Sequence, residues 1–414
     1  MAANNDFYDE LETRDPSLRA EQQFAALADQ VAHAKQNSGY FASVLKDVDP
    51  IEVNSPEALA KLPLTRKSDL TATQQAEPPL GGLNAVPLEQ VAHIFMSPGP
   101  IFEPDGEGRD HWRFGRALFA AGVRPGDIVH NTFAYHLTPA GMLVESAARA
   151  LGCPVIPAGV GNTELQVQAI AHLRPAAYGG TPSFLKILLD KAAETGADVS
   201  SLTKASVGAE PLPPSLRQEL IDRGVFTTQS YGTADLGLVA YESPAMEGMI
   251  IDEGVIMEIV RPGTGDPVPE GEVGEIVVTT FNKVYPLVRF ATGDLSAVLP
   301  GASPCGRTNT RIKGWMGRAD QSAKVRGMFV HPKQVNEIAA RHEEIARARL
   351  VLENPDNKDR MTLRCEVSGG DDSLRAAITE SVQSILKLRG EVELVQPGGL
   401  PNDGKVIDDT RTYE

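Results

Sequence analysis

The chain has 414 residues, 42% hydrophobic and 23% charged, with a formal net charge of −16; it is long enough for two or three domains with a substantial core. The acidity disfavours nonspecific nucleic-acid binding. No uncharged apolar run reaches the ~18 residues of a membrane span, and the polar start MAANNDFYDELETRD lacks the character of a secretory signal.

In chain order, residues 17–37 read as a helix with Leu18, Phe24, Leu27, Ala28 and Val31 on one face. Ser55-Pro56-Glu57 opens a short helix, Ser55 capping it and Pro56 taking its first position. Residues 76–104, rich in Pro and Gly, predict loop and short strand. An α/β alternation follows: helix 109–121, strand 127–133, helix 139–151, strand 153–157, helix 163–173, strand 176–178, helix 183–195, strand 204–207 and helix 213–223. This is the signature of a largely parallel sheet covered by helices. From about 225 short β segments take over, at 225–229, 237–241, 255–260, 273–280 and 287–290, and predict a β-rich subdomain over about 225–319. Beyond about 320 a smaller α+β unit is expected, with strands at 323–326, 347–352, 361–367 and 391–395, helices at 332–341 and 371–387, and a polar tail. Cys153, Cys305 and Cys365 are odd in number and far apart, which suits a reducing cytoplasm better than a disulfide framework.

Several segments join glycine, aromatic and charged residues at strand ends, where open α/β sheets bind ligands. Tyr231-Gly232-Thr233-Ala234-Asp235 offers a ring, a flexible backbone and a carboxylate able to hold a divalent cation; a hairpin with a surface tyrosine is the plainer reading. Thr292-Gly293-Asp294 reads as a turn whose acid can accept ribose hydroxyls. Arg318 carries a fork of donors suited to phosphate, and Lys324, Arg326 and Gly327 follow in a charged connector. Lys405 sits in the tail, where a lysine is ordinarily solvated. Ser97-Pro98-Gly99-Pro100 makes a poor phosphate loop, because two prolines remove N–H donors and no lysine follows. No G-x-S-x-G elbow or H-E-x-x-H spacing occurs, and of the histidines only His136, just after a strand, lies where a pocket wall is expected.

Taken in order, these segments resemble the phenylacetate–CoA ligase family of the adenylate-forming superfamily, and the resemblance runs along essentially the whole chain. It is carried by LPLTRKSDL, AAGVRPGDIVHN, LGCPVIPAGVGNTELQ, GGTPSFL, VGAEPLP, YGTADLG, PLVRFATGDL, GRADQSAKVRGMFVHPKQV and LPNDGK. It implies an α/β fold with a large domain over 1–319 and a small mobile α+β domain over 320–414, hinged at Asp320. Gly208, Ala209, Glu210 and Pro211 match the segment lining adenine, Tyr231 the aromatic stacked on it, and Gly232 and Thr233 the loop around phosphate and acyl group. Asp235 stands where relatives carry a magnesium-binding glutamate, Asp294 matches the ribose acid, Arg318 a phosphate- and ribose-contacting arginine, and Lys405 the adenylation lysine. The Lys324–Gly327 stretch is expected to serve the second half-reaction, and Tyr135, His136, Thr138 and Gly180 to shape the acid pocket.

The implied activity is ATP- and Mg²⁺-dependent activation of a small carboxylic acid, aryl or arylacetic by family analogy, followed by transfer to coenzyme A. An amine, hydroxyl or carrier-protein thiol as acceptor, or a non-catalytic nucleotide-binding relative, are the alternatives. No nucleic-acid or membrane partner is expected; a cytoplasmic enzyme is, with a homodimer as its possible assembly. Two departures stand out: Ser97 and Gly99 survive in the phosphate loop without its lysine, and Cys305 alone remains of a zinc-binding set whose other positions fall near Ser243 and Ile250, so no zinc is expected.

Overall fold

A computed structural model of the chain describes residues 6–262, 264–319, 323–326, 328–355, 358–401 and 406–411. Residues 213–216 apart, the chain divides into a large compact unit ending at Met316 and a small one beginning at Gly317. No described helix is long and apolar enough to cross a membrane.

The large unit opens with helix Pro16–Asn37, capped by the Asp15 carboxylate, which accepts from Ser17 N at 2.8 Å and Leu18 N at 3.2 Å. Its buried face carries Arg19, Leu27, Gln30, Val31 and Ala34, while Leu18, expected on that face, is 45% exposed. Arg19 displaces it by donating to Glu253 at 2.9 Å and to the Thr308 carbonyl at 3.1 Å. Ser55 caps helix Pro56–Leu59 as the sequence suggests, accepting from Ala58 N at 3.2 Å.

The α/β alternation builds one nine-stranded sheet. Its parallel part runs in the order Val155–Pro157, Val129–Asn131, Ala177–Gly180, Lys204–Val207 and Phe226–Thr233. Gly237–Tyr241, Met249–Ile251, Arg311–Ile312 and Val298–Leu299 extend it antiparallel. The strands beyond 225 therefore divide between two sheets, because Val255–Val260, Gly274–Thr280 and Phe290–Ser296 form a second sheet whose edge is Thr65–Arg66. A separate hairpin, His93–Ser97 with Ile101–Asp105, has the Ser97-Pro98-Gly99-Pro100 stretch at its turn.

Two expectations change. The helix expected over 109–121 is confined to Gly115–Ala120. Asp110 and Arg113 take left-handed backbone at φ 52° and 66°, and Asp110 accepts from Gly115 N at 2.8 Å, holding 109–114 as loop. The segment Thr292-Gly293-Asp294 is not a turn. It lies inside strand Phe290–Ser296, where the register with Gly274–Thr280 shifts and Gly293, at φ 76°, supplies the backbone a β-bulge requires.

The small unit is a four-stranded sheet in the order Glu391–Val395, Arg360–Val367, Ile345–Glu353, Ile407–Asp409, with a hairpin of Ala323–Val325 and Met328–Val330. Helices Pro332–Ala340 and Asp372–Leu386 bury Val335, Ile338, Ile378 and Val382 against Leu350 and Leu363. The polar tail thus includes a short strand, Ile407 pairing with Leu350.

Candidate active site

The parallel strands run level at Asn131, Gly180, Val207 and Gln229, the edge at which open α/β sheets hold ligands, and Phe226–Thr233 continues beyond it paired with Gly237–Tyr241. Gly208 follows Val207 directly, its N–H donating to the Gly180 carbonyl at 3.2 Å. Gly180 has no room for a side chain: a Cβ there would stand 2.0 Å from Thr132 Oγ1 and 2.3 Å from the Tyr178 hydroxyl. Ala209 adopts φ 65°, and Glu210 is turned aside, accepting from Ser183 Oγ at 2.6 Å.

Beside this edge four carboxylate and ammonium groups converge. Thr233 and Gly237 pair to close a tight turn that buries Asp235, whose side chain is fully inaccessible. Asp235 Oδ2 accepts from Lys67 Nζ and from Thr233 Oγ1, the latter at 3.3 Å, while Oδ1 is buried with no partner. Glu103, on the second strand of the hairpin, is also fully buried; its Oε1 accepts from Ser97 Oγ and its Oε2 has no partner. Burial, reinforced by the nearby Asp235 charge, pushes the Glu103 carboxyl up to about 8, with Lys67 and Ser97 pulling it back only in part. The Lys67 pKa also rises, which here favours the charged form. Burial opposes its charge, but Asp235, Glu103 and Asp294 together outweigh that and hold the ammonium's pKa above its ordinary value. Asp294 is fixed by two donors, the Tyr231 hydroxyl to Oδ2 at 2.8 Å and Trp315 Nε1 to Oδ1 at 3.0 Å.

Orphaned, buried carboxylate oxygens suit a hard divalent cation, so Asp235 fits the magnesium role expected of it. Cys305 does not fit zinc. Its sulfur lies 3.1 Å from Ser303 Oγ and 3.7 Å from the cationic Arg307 Nη1. Burial opposes ionisation of this thiol, yet hydrogen bonds from Ser243, Ser303 and Arg307 hold its pKa below the usual value.

The expected site residues of the large unit thus divide. Ser97, Tyr231, Thr233, Asp235 and Asp294 share one cluster, with Gly232 exposed beside it. Tyr231 is only 8% exposed and belongs to the main core, so its first structural task is to orient Asp294. Gly99 is exposed at the hairpin turn and Pro211 is half-buried after Glu210. Tyr135 accepts from Asn131 Nδ2 at 2.7 Å, and burial followed by Glu145 raises its pKa; His136 is exposed and Thr138 half-buried on the loop whose Leu137 carbonyl accepts from Met96 N at 2.9 Å. In the small unit, Arg318 is half-buried, the Lys324 carbonyl accepts from Arg411 at 2.9 Å, and Arg326 donates to the Asp359 and Arg389 carbonyls, each at 3.2 Å. Asp320, Gly327 and Lys405 lie outside the described residues. Lys67, Glu103 and Trp315 were not singled out from the sequence, where each reads as an ordinary surface or core residue.

Comparison with known proteins follows the same division. The family model for AMP-binding enzymes matches residues 119–282, and that for the AMP-binding enzyme C-terminal domain matches 327–410. The phenylacetate-coenzyme A ligase of Thermus thermophilus is 34% identical over 356 residues, spanning 82% of this chain and 79% of that protein. That of Escherichia coli is 30% identical over 387 residues, covering 86% of each. The crystal structure of a 2-hydroxyisobutyryl-CoA ligase in complex with 2-HIB-AMP and CoA matches 100% of this chain and 94% of its own, with a TM-score of 0.83 at 23% identity, a likeness of fold.

Proposed function

This chain belongs to the phenylacetate–coenzyme A ligase family of AMP-binding enzymes, and we propose that it uses ATP to convert a carboxylic acid to an acyl-adenylate and then to a coenzyme A thioester. The observation that carries this reading is the cluster at the sheet edge, where Asp235 keeps an unpartnered buried oxygen next to Lys67 and Asp294 is held by Tyr231 and Trp315.

The acid's carboxylate oxygen attacks the α-phosphorus of ATP and pyrophosphate leaves. The thiol sulfur of coenzyme A then attacks the acyl carbon, its proton passes to solvent, and AMP leaves with the oxygen that had belonged to the acid. Bound magnesium, held by Asp235, supplies charge neutralisation at the phosphates. Gly208, Ala209, Glu210 and Pro211 border adenine with Tyr231, and Asp294 accepts the ribose hydroxyls. Ser97, Gly99, Gly232 and Thr233 border the phosphates. Arg318 and Lys405 serve adenylation, Lys405 by stabilising charge where carboxylate meets phosphate; Lys324, Arg326 and Gly327 serve thioester formation, with Asp320 the hinge. An aryl or arylacetic acid is the favoured substrate, entering beside Tyr135, His136, Thr138 and Gly180. The three cysteines are unpaired, in keeping with a cytoplasmic enzyme, and a homodimer is the assembly to look for by light scattering.

ATP–pyrophosphate exchange with a panel of acids, followed by thioester formation with coenzyme A, tests the proposal. Exchange with at least one acid and a matching thioester are expected. Exchange without a thioester would move the reading to a different acceptor, and no exchange with any acid would remove it.

A further inference from the structure

The phosphates of ATP are polyanionic, and the turn nearest the cluster offers them little. Ser97-Pro98-Gly99-Pro100 contributes a hydroxyl, but its prolines have no N–H and it contains no cation. The Ser97 hydroxyl is itself committed to Glu103. A cation is present at the same place, on a different segment. Thr65–Arg66 pairs in parallel with Phe290–Ala291, Thr65 N donating to the Arg289 carbonyl at 3.0 Å, and this fixes the backbone leading into the next residue, Lys67. Its ammonium reaches Asp235 Oδ2 and feels Glu103 and Asp294 as well. The Lys67 side chain keeps 21% exposure, whereas that of Asp235 keeps none, so Lys67 is the more accessible side chain of the pair. Asp235 Oδ1 and Glu103 Oε2 are buried with no partner.

We propose that Lys67 is the phosphate-binding cation of this enzyme, its ammonium standing at Asp235 and taking the ATP phosphates that the hairpin turn cannot neutralise. This rests on the adenylation reading and adds to it a residue from outside the turn. Asp235 is where both roles meet. Its Oδ2 holds the ammonium, and its unpartnered Oδ1 would be open to a divalent ion delivered with the nucleotide. The plainer reading makes Lys67 and Asp235 a structural ion pair, and the two differ in what they predict for ligands with and without phosphate.

Calorimetry with magnesium–ATP and with adenosine, on the full-length wild type and on folded Lys67→Met and Lys67→Arg, separates them. Lys67→Met should weaken ATP about 10- to 100-fold, as expected for loss of a charge-assisted hydrogen bond. Adenosine affinity should stay within about twofold, and Lys67→Arg should restore most of the ATP affinity. Unchanged ATP affinity in Lys67→Met, or equal weakening of ATP and adenosine, would overturn the assignment. Should Lys67→Met fail to fold, amine-directed acylation of the wild type, read at Lys67 by mass spectrometry, gives the same decision. Protection by magnesium–ATP but not by adenosine supports the role, and equal reactivity overturns it. A wild-type chain that binds no ATP overturns the adenylation reading and this inference with it.

Discussion

Replacing Glu103 by glutamine probes the electrostatics of the cluster while keeping the side chain's shape. Glu103 is fully buried, and burial together with the Asp235 charge pushes its carboxyl up to about 8. In the folded chain at neutral pH it therefore retains a proton that the unfolded chain, with an ordinary carboxyl pKa of ~4.3, releases. A folded-state pKa above the unfolded one means that this group's contribution is intact below ~pH 4.3 and is lost as pH rises towards about 8. The loss is ~1.4 kcal/mol per pH unit, or ~3 kcal/mol between about pH 5.5 and 7.5. Glutamine cannot ionise, so Glu103→Gln should gain that ~3 kcal/mol over the wild type across the interval, with the gap flattening above ~pH 8. Urea unfolding of both proteins in chelator, at closely spaced pH values, reads the difference. Taking the difference cancels other titrating groups such as Asp110, which burial pushes up to about 7. Parallel profiles, or a gap that narrows as pH rises, would refute the reasoning.

Arg289 is 2% exposed and donates to both Glu258 oxygens at 3.0 Å and to the Ala60, Leu62 and Gly265 carbonyls at 2.7, 2.6 and 2.8 Å. Arg289→Met should cost ~3–5 kcal/mol in urea unfolding, since it strands Glu258, and a loss below ~1 kcal/mol would contradict this. Gly180→Ala places a methyl 2.0 Å from Thr132 Oγ1, so a loss of ~3 kcal/mol by the same assay is expected, and a neutral variant would show that the strand ends yield easily. Lys405→Ala should lower ATP–pyrophosphate exchange by ~10²–10³ while sparing thioester formation from supplied acyl-adenylate; equal loss in both would remove Lys405 from the first step.

The parts legible in the sequence are those where local signals suffice. Helix Thr163–Leu173 and strand Lys204–Val207 fall where turn residues bracket an apolar pattern. Strand Phe290–Ser296 was obscured because Gly293-Asp294 has the composition of a turn, and only the partner strand Gly274–Thr280 makes it a bulge. Leu18 gives up its expected place on the buried face because Arg19 finds Glu253 across 234 residues of sequence, a pairing that periodicity cannot register. The short strand Ile407–Asp409 is too brief and polar to read, and exists through its pairing with Ile345–Glu353. At the site, Asp235 and Asp294 were legible as motif acids. Lys67 and Glu103 were not, because a lysine between Arg66 and Ser68 reads as solvated and a glutamate after Phe102 as a strand edge. Only the pairing of Thr65–Arg66 with the second sheet, and the closure of the hairpin, turns both towards Asp235.

The central claim is that the acid's own oxygen becomes joined to AMP. It is tested most directly by running the complete reaction with an accepted acid labelled with oxygen-18 in its carboxylate and weighing the products. Attack on the α-phosphorus predicts a single labelled oxygen in AMP, with none in pyrophosphate. Unlabelled AMP, or label appearing in orthophosphate, would contradict the account.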